Sequence, residues 1–118
     1  MTAWRRSAKP AGWYPRRGDV CLLSLDKQRP ALVISSDALN AYSLDICVLP
    51  ISSVEHRAFS LRVRLRTGEG GLHRESWVKC DQPTTIEKQL VLHPPLGNLQ
   101  PILMEQVEIA VKRALDLV

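Results

Sequence analysis

The spacing of turn signals constrains this chain more than any single motif. From Gly18 to Leu92 the sequence divides into short apolar or alternating runs, turned about every eight to twelve residues, and only then does one helical period begin. Five or six short strands followed by one amphipathic helix describe a mainly β fold, a small barrel with a C-terminal helix packed on it. At 118 residues the chain is long enough for a real core but holds one domain, without internal repeats.

Reading along the chain, GDVCLLSLD (18–26) forms a first strand. RPALVISS (29–36) is almost wholly apolar, so it belongs at the centre of the sheet. DALNAYS (37–43) carries turn chemistry. LDICVLPI (44–51) is a third strand, stopped by Pro50. In FSLRVRLR (59–66) Leu61, Val63 and Leu65 face one way and Arg62, Arg64 and Arg66 the other, which is a half-buried strand. TGEGG (67–71) is a hairpin turn or loop and lacks the GxxxxGK spacing of a phosphate loop. SWVKC (76–80) and TTIEKQLVL (84–92) are further strands, and LGNL (96–99) turns the chain into the helix. That helix starts near Pro101, with Asn98 or Gln100 as cap and Leu103, Val107, Ala110, Val111, Ala114 and Val118 at helical spacing.

Charge is unevenly placed. The net charge is +4, yet residues 1–17 alone contribute +5 from Arg5, Arg6, Lys9, Arg16 and Arg17, and the remainder sets eleven basic groups against twelve acidic ones. The first seventeen residues therefore read as a basic, flexible arm, either solvated or suited to phosphates or an acidic protein segment, ahead of a single domain at 18–118. They contain no apolar stretch of the secretory kind, and no run approaches a membrane span. Cys21, Cys47 and Cys80 have no CxxC spacing and read as buried thiols of a reducing compartment, Cys80 beside Lys79 being the one with any claim to reactivity. His56, His73 and His93 fall in no ligand pattern, so neither a metal nor another cofactor is expected.

The chemistry-bearing residues cluster around two prolines. Pro30 fixes its own φ and drives Arg29 into extended geometry, so this arginine sits rigidly at a strand mouth. Taken alone it is a solvated charge; Ser52 and Ser53, after Pro50, are taken alone as turn residues. A barrel can bring the ends of the second and third strands together, and that joins the two readings.

In order along the chain, RRGDV, RPALVIS, LPISS, SWVKCDQPTTI and LGNLQPILMEQVEIAVKRAL resemble the MazF/PemK-like toxins over residues 16–117. The resemblance implies an SH3-like barrel, a homodimer, and the toxin of a type II toxin–antitoxin pair acting in the cytoplasm. It implies metal-independent cleavage of single-stranded RNA by 2′-OH attack, leaving a 2′,3′-cyclic phosphate and a 5′-OH. It also implies a cognate antitoxin whose acidic and apolar tail lies across the RNA groove. The family's catalytic arginine and hydroxyl residue correspond to Arg29 and Ser52, and its DQ pair to Asp81 and Gln82. A guanidinium suits charge developing on phosphoryl oxygens, but it is a poor general base, and the sequence offers no convincing one. Lys27, Ser53, His56 and Arg57 are further candidates to line the RNA groove, with His56 a remote candidate base.

Two departures stand out. The approach to the RP motif is only LDKQRP, shorter than is usual in the family, and serine replaces the usual threonine at position 52. On the same fold the alternatives are a toxin that binds DNA gyrase without cutting RNA, and an RNA-binding regulator with little activity. The arginine face at 62, 64 and 66 reads as edge protection rather than a phosphate site, and Trp77 as core or dimer interface rather than a stacking platform.

Overall fold

A computed structural model of the chain describes residues 8–55 and 61–118. Its elements are β1 (Asp19–Ser24), β2 (Gln28–Val33), α1 (Asp37–Tyr42), β3 (Asp45–Ser52), β4 (Arg62–Leu65), β5 (Ser76–Lys79), β6 (Thr84–Glu87), β7 (Gly97–Asn98) and α2 (Pro101–Leu115). The seven strands form one antiparallel, curled sheet in the order β4-β5-β3-β2-β1-β7, with β6 paired to the first half of β3.

Alternation along the strands builds two cores, one on each face. On one face Val20, Leu32, Leu49, Ile51, Val63, Leu65 and Val78 pack against Leu103, Met104, Val107 and Ala110 of α2. On the other, Cys21, Leu23, Ala31, Val33, Ile46 and Val48 are covered by Val91, Trp13 and Ile86. β2 lies between β1 and β3, and its second half, Ala31–Val33, is covered on both faces, which is why that part of the strand is uniformly apolar. Pro101 opens α2 and Gln100 occupies its N-cap without a side-chain hydrogen bond. Burial of large side chains, about 1.5–3 kcal/mol each, rather than capping, fixes this helix.

The elements differ from the sequence expectation in five places. β3 is not stopped by Pro50 but runs through it to Ser52, because Ile51 and Ser52 pair with β5. Residues 37–42 are a helical turn: Leu39 N donates to Ser36 Oγ at 3.2 Å, a cap that overrides the turn chemistry of Asp37 and Asn40. The strand expected over 84–92 ends at Glu87, because Lys88 turns inward and its Nζ donates to the carbonyls of Asn40 and Ala41 at the end of α1. Gly97 and Asn98 form a short strand on β1 rather than a turn. There Gly71 (φ 75°) passes so close to the Leu96 carbonyl that a Cβ would lie 2.0 Å from its oxygen. Val118 lies beyond the helix and is fully exposed.

Residues 8–17 are docked on the body, unlike the loose basic arm read from charge. Pro15 is fully buried, Trp13 meets the His93 ring edge-on at 5.0 Å, and Lys9 donates to the Gln89 carbonyl. Arg17 N donates to Asp37 Oδ1, and its guanidinium reaches the Ile34 carbonyl and Glu108. Charge concealed this because the apolar contacts come from only two residues among the basic ones. Among the described residues, no helix is long and apolar enough to cross a membrane.

Candidate active site

β1 and β2 are joined by three residues, Leu25, Asp26 and Lys27, after the last paired positions Ser24 and Gln28. The shortness of this turn leaves Asp26 and Arg29 on the same side. Arg29 Nε donates to Asp26 Oδ1 and Nη2 to Oδ2, each at 3.1 Å. The guanidinium is half exposed, so the pair lies open to solvent. It holds the Asp26 carboxyl below the usual carboxylate range and raises Arg29 further above neutrality. Both groups are ionised at physiological pH, and Arg29 can donate hydrogen bonds but not take a proton.

The ladder between β2 and β3 runs Val33–Val48, Leu32–Leu49, Ala31–Pro50, and no backbone pair follows. Pro30 and Pro50 explain the end point: neither has an N–H to continue it. Carried two residues further, the same register brings Arg29 level with Ser52, on the face opposite α2. At this end that face is open: Pro50 and Ser52 are only half buried, and Arg29 is exposed. Ser52 Oγ accepts from Val54 N at 3.0 Å, which fixes the oxygen and leaves the hydroxyl proton free to donate. The turn role read for Ser52 and a role toward phosphate are thus compatible.

Lys27 and Ser53 are exposed at the rims of this opening, on the β1–β2 turn and just past β3. Asp81 and Gln82 lie in the β5–β6 turn, on the side of β3 away from β2 and nearer the level of Val48 than that of Ser52, so the structure does not bring them to the Arg29–Ser52 end. Gln82 is exposed, its N donating to the Lys79 carbonyl and its carbonyl accepting from Thr84 Oγ. Asp81 pairs with Arg62, Oδ1 to Nε at 3.7 Å. The arginines of β4 are therefore not a uniform solvated face. Only 16% of the Arg62 side chain is exposed and its buried Nη1 has no hydrogen-bond partner among the described residues, whereas Arg64 is open and pairs with Glu75. His56 and Arg57 lie outside the described residues.

A cleft of about 510 Å³ lies elsewhere, lined by Trp13, Leu44, Asp45 and Lys88 among others at the start of β3. Ser52 ends that strand, roughly 24 Å away at ordinary strand rise. An extended polymer lies on an open surface and needs no enclosed cavity, so the Arg29–Ser52 end is the better candidate.

Residues 16–115 match the family described as PemK-like, MazF-like toxin of type II toxin–antitoxin system. The chain belongs to this family. Endoribonuclease MazF9 of Mycobacterium tuberculosis (strain ATCC 25618 / H37Rv) is 29% identical over 115 residues, covering 86% of this chain and 97% of that protein. The solved Mycobacterium tuberculosis toxin MazF-mt6 superposes with a TM-score of 0.75 at 26% identity, over 85% of this chain and 98% of its own. An endoribonuclease in complex with its cognate antitoxin, from a mycobacterial species, gives 0.74 at 25% identity, over 88% and 95%. The curled sheet with one C-terminal helix is the fold of these MazF toxins.

Within this PemK/MazF-like frame the thiols are not set up for nucleophilic work. Burial pushes Cys21 up to about 12 and Cys80 to about 11, and it raises Cys47 as well. The faint case for Cys80 rested on Lys79, but burial outweighs any neighbour there. What sequence reasoning missed is Asp26 as partner of Arg29. The signal was present in the three-residue spacing across a tight turn.

Proposed function

We propose that this toxin is an endoribonuclease that cuts single-stranded RNA by attack of a ribose 2′-OH on the adjacent phosphate. The 2′-O–P bond forms and the P–O5′ bond breaks. The 2′-proton is lost, the leaving 5′-oxygen takes one up, and the ends are a 2′,3′-cyclic phosphate and a 5′-OH. No metal or cofactor takes part. Arg29 meets the developing charge on two phosphoryl oxygens with the same two nitrogens that now hold Asp26. Ser52 orients the phosphate through its free hydroxyl proton. The observation that carries this reading is the frayed end of the β2–β3 ladder, beyond which a guanidinium fork and a fixed hydroxyl lie on the same open face. Relatives named as endoribonucleases support it.

Asp26 occupies the fork that phosphate needs. Its depressed pKa makes it a weak base, so its main effect is competition with the substrate. Lys27 and Ser53 contribute to RNA binding around the opening, and Asp81 and Gln82 farther from it, with His56 and Arg57 following Ser53 in the chain. The toxin acts as a homodimer in the cytoplasm, where its RNA targets are, and a cognate acidic antitoxin covers the RNA groove, a partnership supported by the solved relative in complex with its own antitoxin.

The test is incubation of a diverse single-stranded RNA pool with the purified toxin in EDTA, with analysis of product ends. Discrete cuts carrying cyclic phosphate and 5′-OH, blocked by a 2′-deoxy residue at the cut, are expected. An uncut pool, or cutting indifferent to the 2′-deoxy residue, contradicts the reading.

A further inference from the structure

Strand alternation puts more than Arg29 and Ser52 on the open face. Ile51 and Val78 are buried on the α2 side, so their neighbours Ser52 and Trp77 emerge on the other. The register pairs Ser52 with Trp77 and Trp77 with Arg64. Ser52, Trp77 and Arg64 therefore form one line across three paired strands, and Arg29 of the neighbouring β2 lies on the same face beyond the end of the β2–β3 ladder. At strand spacing that line is about 10 Å long. Lys79 and Arg62 flank it on the same face, one pair further along β4 and β5.

We propose that Trp77 and Arg64 extend the cleavage site into a track for a short single-stranded RNA segment running across the strands. Trp77 stacks on a base beside the scissile phosphate and Arg64 takes a neighbouring phosphate. This rests on the endoribonuclease reading given above. Trp77 stands next to the serine hydroxyl, with its apolar needs unmet by the core, which β5 reaches through Val78 instead. The indole is only partly buried, and an aromatic flanked by guanidinium groups is what a base and its phosphates recognise. Arg64, like Arg29, is held by a carboxylate that a phosphate can displace: its Nε and Nη2 both donate to Oε2 of the partly exposed Glu75, where Arg29 spans both oxygens of Asp26.

The test measures binding without chemistry, using a short mixed-sequence 2′-O-methyl RNA pool in EDTA, alongside cleavage of unmodified RNA. Wild-type tryptophan emission is expected to be quenched on binding and the quench to be lost in Trp77→Phe. Trp77→Leu is expected to weaken binding about tenfold or more, and Arg64→Ala to reduce the salt slope by about one. Where Trp77→Leu does not melt as a folded protein, the Trp77→Phe quench and the Arg64→Ala slope decide. Wild-type cleavage with binding and slope unchanged in the variants overturns the track and leaves the nuclease standing. A Trp77→Leu protein that loses its dimer while binding the pool as tightly as wild type also overturns it, by making Trp77 an intersubunit contact. A wild type that neither binds nor cuts removes both proposals.

Discussion

Arg29 is held by three neighbours with separate physical roles. Pro30 keeps it extended, the three-residue turn sets Asp26 against its fork, and Pro50 ends the ladder that would otherwise close over it. Replacing it with alanine removes a preorganised donor pair, and a loss of roughly 100- to 1,000-fold in kcat is expected. Arg29→Lys should recover little, because an ammonium cannot span two phosphoryl oxygens. Asp26→Asn frees the fork without changing its shape. KM for RNA should fall a few-fold at low salt, and an unchanged KM would show that the pair does not compete with substrate. Asp26 is held below its usual pKa, so the pair persists through neutral pH and opens only as acid protonates the carboxylate through that lowered value. At this scale the sequence pointed to Arg29 and Ser52 as candidates, since prolines act locally. It did not reveal the Arg29–Asp26 or Arg62–Asp81 pairs, which depend on where turns deliver side chains.

At the scale of elements, the thiols and the docked N-terminal segment give two expectations. Cys21 and Cys80 have folded-state values of about 12 and about 11 against an ordinary 9.0. Their contribution to stability is complete below pH 9 and is lost as pH rises through 9 toward 11 and 12. In a thiol titration at pH 8, both should react only after denaturant is added; rapid reaction of either in the folded protein would contradict their burial. Trp13 covers the second core and touches His93, so Trp13→Ala should cost about 2 kcal/mol, less than a fully buried aromatic. The denaturation midpoint reads this, and an unchanged midpoint would mean that residues 8–17 add nothing. β2 and α2 were legible because periodicity reports burial directly. α1 was not, since Ser36, Asp37 and Asn40 serve a helix cap as readily as a turn. The docking of residues 8–17 was hidden because their apolar anchors, Trp13 and Pro15, sit among Lys9, Arg16 and Arg17.

Across the whole molecule, the sheet has a helix-covered face and a face that is apolar at one end and polar at the other. The polar end carries Arg29, Ser52, Trp77 and Arg64, and the change occurs where the ladder between the prolines stops. The order of strands and helix was readable from turn spacing alone. The alignment of Ser52, Trp77 and Arg64 at one level was not, because register is set by pairings far apart in sequence. If the antitoxin tail covers the same opening, it should compete with RNA, and simultaneous binding without loss of affinity would contradict that. The central claim is that Arg29 at the end of the β2–β3 ladder is the cleavage centre. Cleavage of single-stranded RNA in EDTA, wild type beside an Arg29→Ala protein with unchanged melting, tests it most directly. The account predicts cutting by the first and almost none by the second, while equal cutting by both would contradict it.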